Sequence, residues 1–105
     1  MAFYQFDQNN SGGGFDIDDA RGIGPIVWIE ATDLVCAISI SLGLGIYFDG
    51  VSKGMDCRCC GDRWSEPWPG DEKVTPEIDK YDFDWHDTVY VHHLNGEIQR
   101  VHKAY

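Results

Sequence analysis

Three of the four cysteines fall within four positions, Cys57-Arg58-Cys59-Cys60, and Gly61 follows them. Two thiolates three residues apart on a tight turn can grip one Zn²⁺ at tetrahedral angles, with the glycine letting backbone amides turn toward the sulfurs. The spacing is that of a zinc knuckle, and it predicts a structural zinc held by Cys57, Cys59 and Cys60. A structural site takes four ligands and the chain has no second C-x-x-C. The remaining donor is expected to be His93, with His92, His86 or a neighbouring subunit as alternatives. Strand alternation points His92 and His93 to opposite faces, so at most one of them joins the site. Lys53, Arg58 and Arg63 outnumber Asp56 and Asp62 around the cluster, and cationic neighbours favour the thiolate. Without metal, the same residues read as reduced thiols packed beside Trp64. A dithiol redox site is disfavoured because no thioredoxin-like helix follows the motif.

A second constellation is Asn9-Asn10-Ser11-Gly12-Gly13-Gly14. It offers side-chain amides, a hydroxyl and exposed backbone N–H groups, which together can hold a phosphate or a nucleotide edge without positive charge. No Gly-Lys-Ser/Thr follows, so it is not a P-loop. Its plainer reading is a hairpin connection. Gly22-Ile23-Gly24 lacks the third glycine of a dinucleotide fingerprint. There is no H-E-x-x-H, and nothing places a nucleophile beside the four histidines.

The elements that must position these residues come from a chain of 105 residues, 43% hydrophobic, with fourteen aromatics. That length holds one domain, residues 1–105, with one modest core. Eighteen acids against eight Lys and Arg leave a net charge of -10, with a pI near 4.5. Phosphate backbones are bound through Lys and Arg, so the balance excludes non-specific nucleic-acid binding and docking on an anionic membrane. The acid falls in two blocks. Residues 1–50 carry seven acids against one base, and residues 66–87 carry eight against two, whereas 51–65 and 88–105 are each slightly basic. The N-terminus has no basic n-region of a secretory signal. The longest apolar stretch, Leu34 to Phe48, is too short and too interrupted by serine and glycine to span a bilayer. A soluble protein in a reducing compartment is expected.

The pattern predicts an α+β fold, an antiparallel sheet of four to six strands with one packed helix and a zinc-knuckle-like loop. Phe3–Asp7 reads as a strand, and Phe15–Asp18 as a second strand completing a hairpin around the glycine loop. Ile26–Glu30, after Pro25, is the strongest strand signal. Residues 32–45 carry conflicting signals: Thr32 or Asp33 as N-cap and Gly43 or Gly45 as stop favour a helix of about ten residues. Against it, Ile38-Ser39-Ile40-Ser41-Leu42 alternates as a strand would, and the helix is preferred because both ends carry helix punctuation. Ile46–Phe48 reads as a short strand. Residues 66–87, rich in proline and acid, predict a long surface loop pinned by Trp68, Tyr81, Phe83 and Trp85. Thr88–Leu94 and Glu97–His102 flank Asn95-Gly96, the favoured pair for a two-residue type I′ hairpin.

Three segments, Asn9-Asn10-Ser11-Gly12-Gly13, Gly45-Ile46-Tyr47-Phe48-Asp49-Gly50 and Asp56-Cys57-Arg58-Cys59-Cys60-Gly61-Asp62-Arg63-Trp64, occur in that order. In this the chain resembles a family of small uncharacterised proteins of tailed bacteriophages. The Val27–Ala31 strand and the helix after it fit the same layout, although Cys36 and the Ile/Ser run depart from the more charged helix of the relatives. The resemblance implies a phage accessory protein in the cytoplasm of the infected bacterial host and carries no established activity. It favours a ligand-sequestering protein, trapping a nucleotide immune signal to counter host defence. Asn9, Asn10, Ser11, Gly12, Gly13 and Asp49 would line its pocket, which a homo-oligomer would share between subunits. The alternative is an acidic inhibitor of a basic host protein, a DNA mimic built on Glu66–Asp87 with aromatic anchors. A third reading is a small thiol- or zinc-dependent hydrolase at Cys57–Cys60.

Overall fold

The computed structural model describes residues 1–9, 15–54, 56, 61–83 and 86–103. The asparagine–glycine loop beyond Asn9 and the cysteine cluster therefore lie outside the described residues, as do Asp84 and Trp85. Five strands, β1 (Ala2–Gln8), β2 (Ile26–Ala31), β3 (Trp64–Ser65), β4 (Thr88–His92) and β5 (Ile98–His102), form one open sheet in the order β3-β1-β2-β4-β5. One α-helix, α1 (Leu34–Gly43), packs on it. The architecture is α+β as the sequence predicts, with a mixed sheet. β1 pairs antiparallel with β2 and β3, and β4 with β5, but β2 and β4 run parallel at the centre. A parallel pair needs a crossover. Here the chain leaves β2, crosses one face as α1, touches the far edge as β3 and returns through residues 66–87.

The apolar runs of β2 and β4 belong to strands covered on both faces. On the helix side, Tyr4, Phe6, Val27, Ile29 and Ala31 form a core with Ala37, Ile46 and Trp64. On the other side Trp28, Val89 and Val91 are covered by Ile78 and Phe83. The acidic segment is thus fastened to the sheet by these two residues, by the 3₁₀ turn Lys80–Phe83 and by a backbone bridge between Phe3 and Lys73. Of the aromatics expected to pin it, Phe83 does so, whereas Trp68 and Tyr81 are 76% and 66% exposed.

Residues 34–43 are helix, not strand. Asp33 caps the N-terminus, accepting from the Cys36 N–H at 2.8 Å. At the other end the Gly45 N–H donates to Leu42 O and the Ile46 N–H to Ser41 O, with Gly45 at φ +95°. This is a Schellman stop, and it makes Gly45 the terminator, not Gly43. Ala37 and Ser41, one turn apart, are both fully buried and let the helix lie close to the sheet.

Three local expectations are corrected. Phe15–Asp18 forms no strand with β1, because at the end of β1 nearest the connection Asp7 and Gln8 already pair with β3 on one edge and β2 lies on the other. Instead Asp18 and Ile23 close a tight turn by reciprocal backbone bonds at 2.9 Å. Ile46–Phe48 is irregular, held by packing of Ile46, Tyr47 and Phe48 against the core and not by a ladder. The β4–β5 connection is a three-residue loop, Leu94-Asn95-Gly96, closed by His93 N–H donating to Glu97 O at 2.8 Å. Only Gly96 takes positive φ there, so the type I′ turn, which needs it at both central residues, is not formed.

Candidate functional site

β1 ends at Gln8, beside β3. At this end the fold gathers parts of all three sequence segments. The Asn9 N–H donates to Arg63 O at 2.7 Å and its Nδ2 to Asp62 O at 2.6 Å. Asp62 Oδ1 in turn accepts from the Val51 N–H at 2.9 Å, tying in the turn that follows Asp49-Gly50. Asn9 is thus linked to stretches about forty to fifty positions away in sequence.

Arg63 is the centre of the cluster. Its side chain is 12% exposed, and its Nε lies 3.5 Å from a carboxylate oxygen of Asp56 and 3.5 Å from one of Asp16. The Asp56 side chain is fully buried, and it accepts from the Arg63 backbone N–H at 2.8 Å and from the Tyr47 hydroxyl at 3.1 Å. A buried carboxylate persists when its lone pairs are filled in this way. Burial, and then the bond to Asp56, pushes the Tyr47 hydroxyl above its ordinary pKa. Gly50 is required here, since a Cβ at that position would overlap the Asp56 carboxylate. Gln8 completes the assembly by bonding the Asp16 backbone through both amide atoms, at 2.7 and 2.8 Å. The sites where the Asn10–Gly14 loop and the Cys57–Cys60 cluster join the fold are therefore clamped to one another.

Beside this clamp lies a cleft of about 400 Å³ lined by Asn9, Phe15, Ile26, Tyr81 and Asp82. Asp7 stands in it. Its carboxyl is raised above the usual range, first by burial among the cleft walls and then by the Asp82 carboxylate. Two aromatic rings with two carboxylates suit a flat ligand that donates hydrogen bonds.

Not every predicted site residue comes here. The Asp49 carboxylate pairs with Lys53 at 3.2 Å. His93 lies at the opposite end of β1, where its Nε2 meets Gln99 Oε1 at 2.9 Å, its Nδ1 is 3.7 Å from Glu30 and its ring abuts Phe3 edge-on. His92 does face the other way, as alternation requires, and its buried Nε2 donates to Gly22 O at 2.8 Å. Among the described residues no three His, Cys, Asp or Glu side chains converge as a metal site, while Asn10, Ser11, Gly12, Gly13, Cys57, Cys59 and Cys60 fall outside them. Sequence reasoning missed Gln8, Asp16, Tyr47, Asp56 and Arg63. The available signal was that Asp56 and Arg63 bracket the cysteine cluster with opposite charges.

No helix among the described residues is long and apolar enough to cross a membrane. No curated protein and no solved structure matches the chain. A family match covers residues 1–104, and by it the chain belongs to the family described as a domain of unknown function, DUF7296.

Proposed function

We propose that the protein is a non-enzymatic binding protein that sequesters a small nucleotide-type ligand. It would act as a phage accessory factor in the cytoplasm of an infected bacterium, against a nucleotide signal of host defence. The observation that carries this reading is the clamp at the end of β1, where Asn9 is bonded to Asp62 and Arg63 beside the cleft of Phe15, Tyr81, Asp7 and Asp82. Polar residues fixed by hydrogen bonds beside an aromatic cleft form a scaffold for ligand recognition rather than for turnover. The Asp7 and Asp82 carboxylates favour the amino-bearing edge of a base, and the phosphate end is assigned to the Asn9–Gly13 loop. Calorimetry with a panel of cyclic and linear nucleotides should give saturable heat with at least one of them. Silence across the panel defeats the proposal.

The acidic-inhibitor reading keeps one observation in its favour. Trp68 and Tyr81 stand exposed within the most acidic segment of the chain, as anchors for a basic protein surface would. A partner captured from host lysate should then wash off with salt, and capture undiminished at about 1 M salt rules out the electrostatic form.

A further inference from the structure

The edge of β1 is incompletely paired, and the gap has the chemistry of a binding slot. Even-numbered residues of β1 bond toward β2, as the Gln8 N–H does to Pro25 O at 2.9 Å. Odd-numbered residues therefore face the opposite edge. There Asp7 pairs with Ser65, and Phe3 exchanges both backbone bonds with Lys73 at 2.8 and 3.0 Å. Between them lies Gln5. Continuing the β1–β3 register would set Gln5 opposite Pro67, which has no N–H to donate, and the ladder stops. The chain from Ser65 to Lys73 arches away as a strap, leaving the Gln5 backbone N–H and C=O facing it without a ladder partner.

A cleft of about 390 Å³ fills this gap, lined by Gln5, Asp7, Trp28, Trp68, Asp71 and Lys73 among others. Trp28 sits directly across from Gln5 on β2, is 1% exposed, and its indole N–H has no acceptor. Trp68 is held out on a turn closed by its N–H to Asp71 Oδ2 at 3.1 Å and by Asp71 N–H to its carbonyl at 3.0 Å. The two ladder ends are four strand residues apart, about 13 Å. An extended peptide cannot run through a gap shut at both ends, whereas a compact planar molecule fits.

We propose that this slot binds a nucleobase as the free nucleoside, pairing its adjacent hydrogen-bond donor and acceptor with the Gln5 backbone and stacking on Trp68. Asp7, Glu66 and Asp71 supply carboxylates around the slot, against a single Lys73 that lies 3.9 Å from Glu77. They accept from exocyclic amino groups and repel phosphate. Adenosine, cytidine and guanosine are therefore preferred to uridine, and nucleosides to their phosphates. The slot shares Asp7 with the cleft beside the Asn9 clamp, but Gln5, Trp28, Trp68 and Lys73 line the slot and not that cleft, so the responses of the Gln5 amide and of Trp68→Ala separate this proposal from the nucleotide reading.

The test is calorimetric titration with the four nucleosides, together with the amide resonance of Gln5 followed by NMR. Saturable binding is expected for the amino-bearing nucleosides. Trp68→Ala, at a residue 76% exposed, should weaken it about tenfold, the scale of one base–aromatic stack. Gln5→Pro removes the donor while sparing the β1–β2 ladder and should abolish binding with the far-UV spectrum unchanged. The Gln5 amide should shift and become protected from exchange on saturation. Absence of binding by every nucleoside overturns the proposal. So does binding that leaves the Gln5 amide unmoved, or full affinity in Trp68→Ala.

Discussion

Asp56 is the residue on which the clamp depends. Its carboxylate is fully buried between Arg63, Tyr47 and the backbone at Gly50. Removing one member of a buried pair leaves the other uncompensated, so Asp56→Ala is expected to cost about 3 kcal/mol in denaturant unfolding. Asp7 behaves in the opposite sense. Its folded pKa is raised, so the stability it contributes is present when protonated and lost as pH rises through that value. Asp7→Asn is therefore expected to raise the thermal midpoint at pH 7, with the gain vanishing near pH 3. His92 is lowered by burial, so the unfolded chain takes up its proton first. Stability should fall as pH drops from about 6.5 toward the folded value, and His92→Gln should remove that part of the slope. The role each of these residues takes is not legible in the sequence, because burial and charge pairing arise only when distant segments meet.

At the scale of elements, punctuation outweighs pattern. The period-two run Ile38–Leu42 suggests a strand, yet the Asp33 cap and the Gly45 stop enclose a helix. Asp33→Ala should cost about 1 kcal/mol of global stability by denaturant titration. Gly45→Ala should cost a similar amount, since φ is +95° there. Both helix ends were legible because capping is local chemistry. The β-hairpin was legible in place but not in turn type, since a wider loop that needs positive φ only at Gly96 replaced the two-residue turn. Pro67 has the least visible role. As a proline in a loop it reads as filler, and only the register of β1 makes it the residue that ends a ladder.

For the whole molecule, the net charge of -10 is divided by the fold. Ile78 and Phe83 hold the later part of the acidic segment on the face opposite α1, while Arg63 is drawn inward between Asp16 and Asp56. The expectation of zinc at Cys57, Cys59 and Cys60 is tested at this scale, because its fourth ligand must come from outside the cluster. Metal analysis of purified protein should find zinc in the wild type and none in Cys57→Ser/Cys60→Ser. His93→Ala should retain it, since His93 is engaged with Gln99 and Glu30 at the far end of β1. A native mass spectrum gives the metal, any retained ligand and the subunit count together. The sequence by itself determined β1, β2, β4 and β5 and favoured the helix between alternative caps, for these depend on periodicity and on contacts within a few residues. Only the tertiary structure decided the parallel centre of the sheet, the clamp around Arg63 and the gap at Gln5. Each of these depends on which strand edges are left open once distant segments have paired, and that is a property of the assembled sheet and not of any stretch of chain.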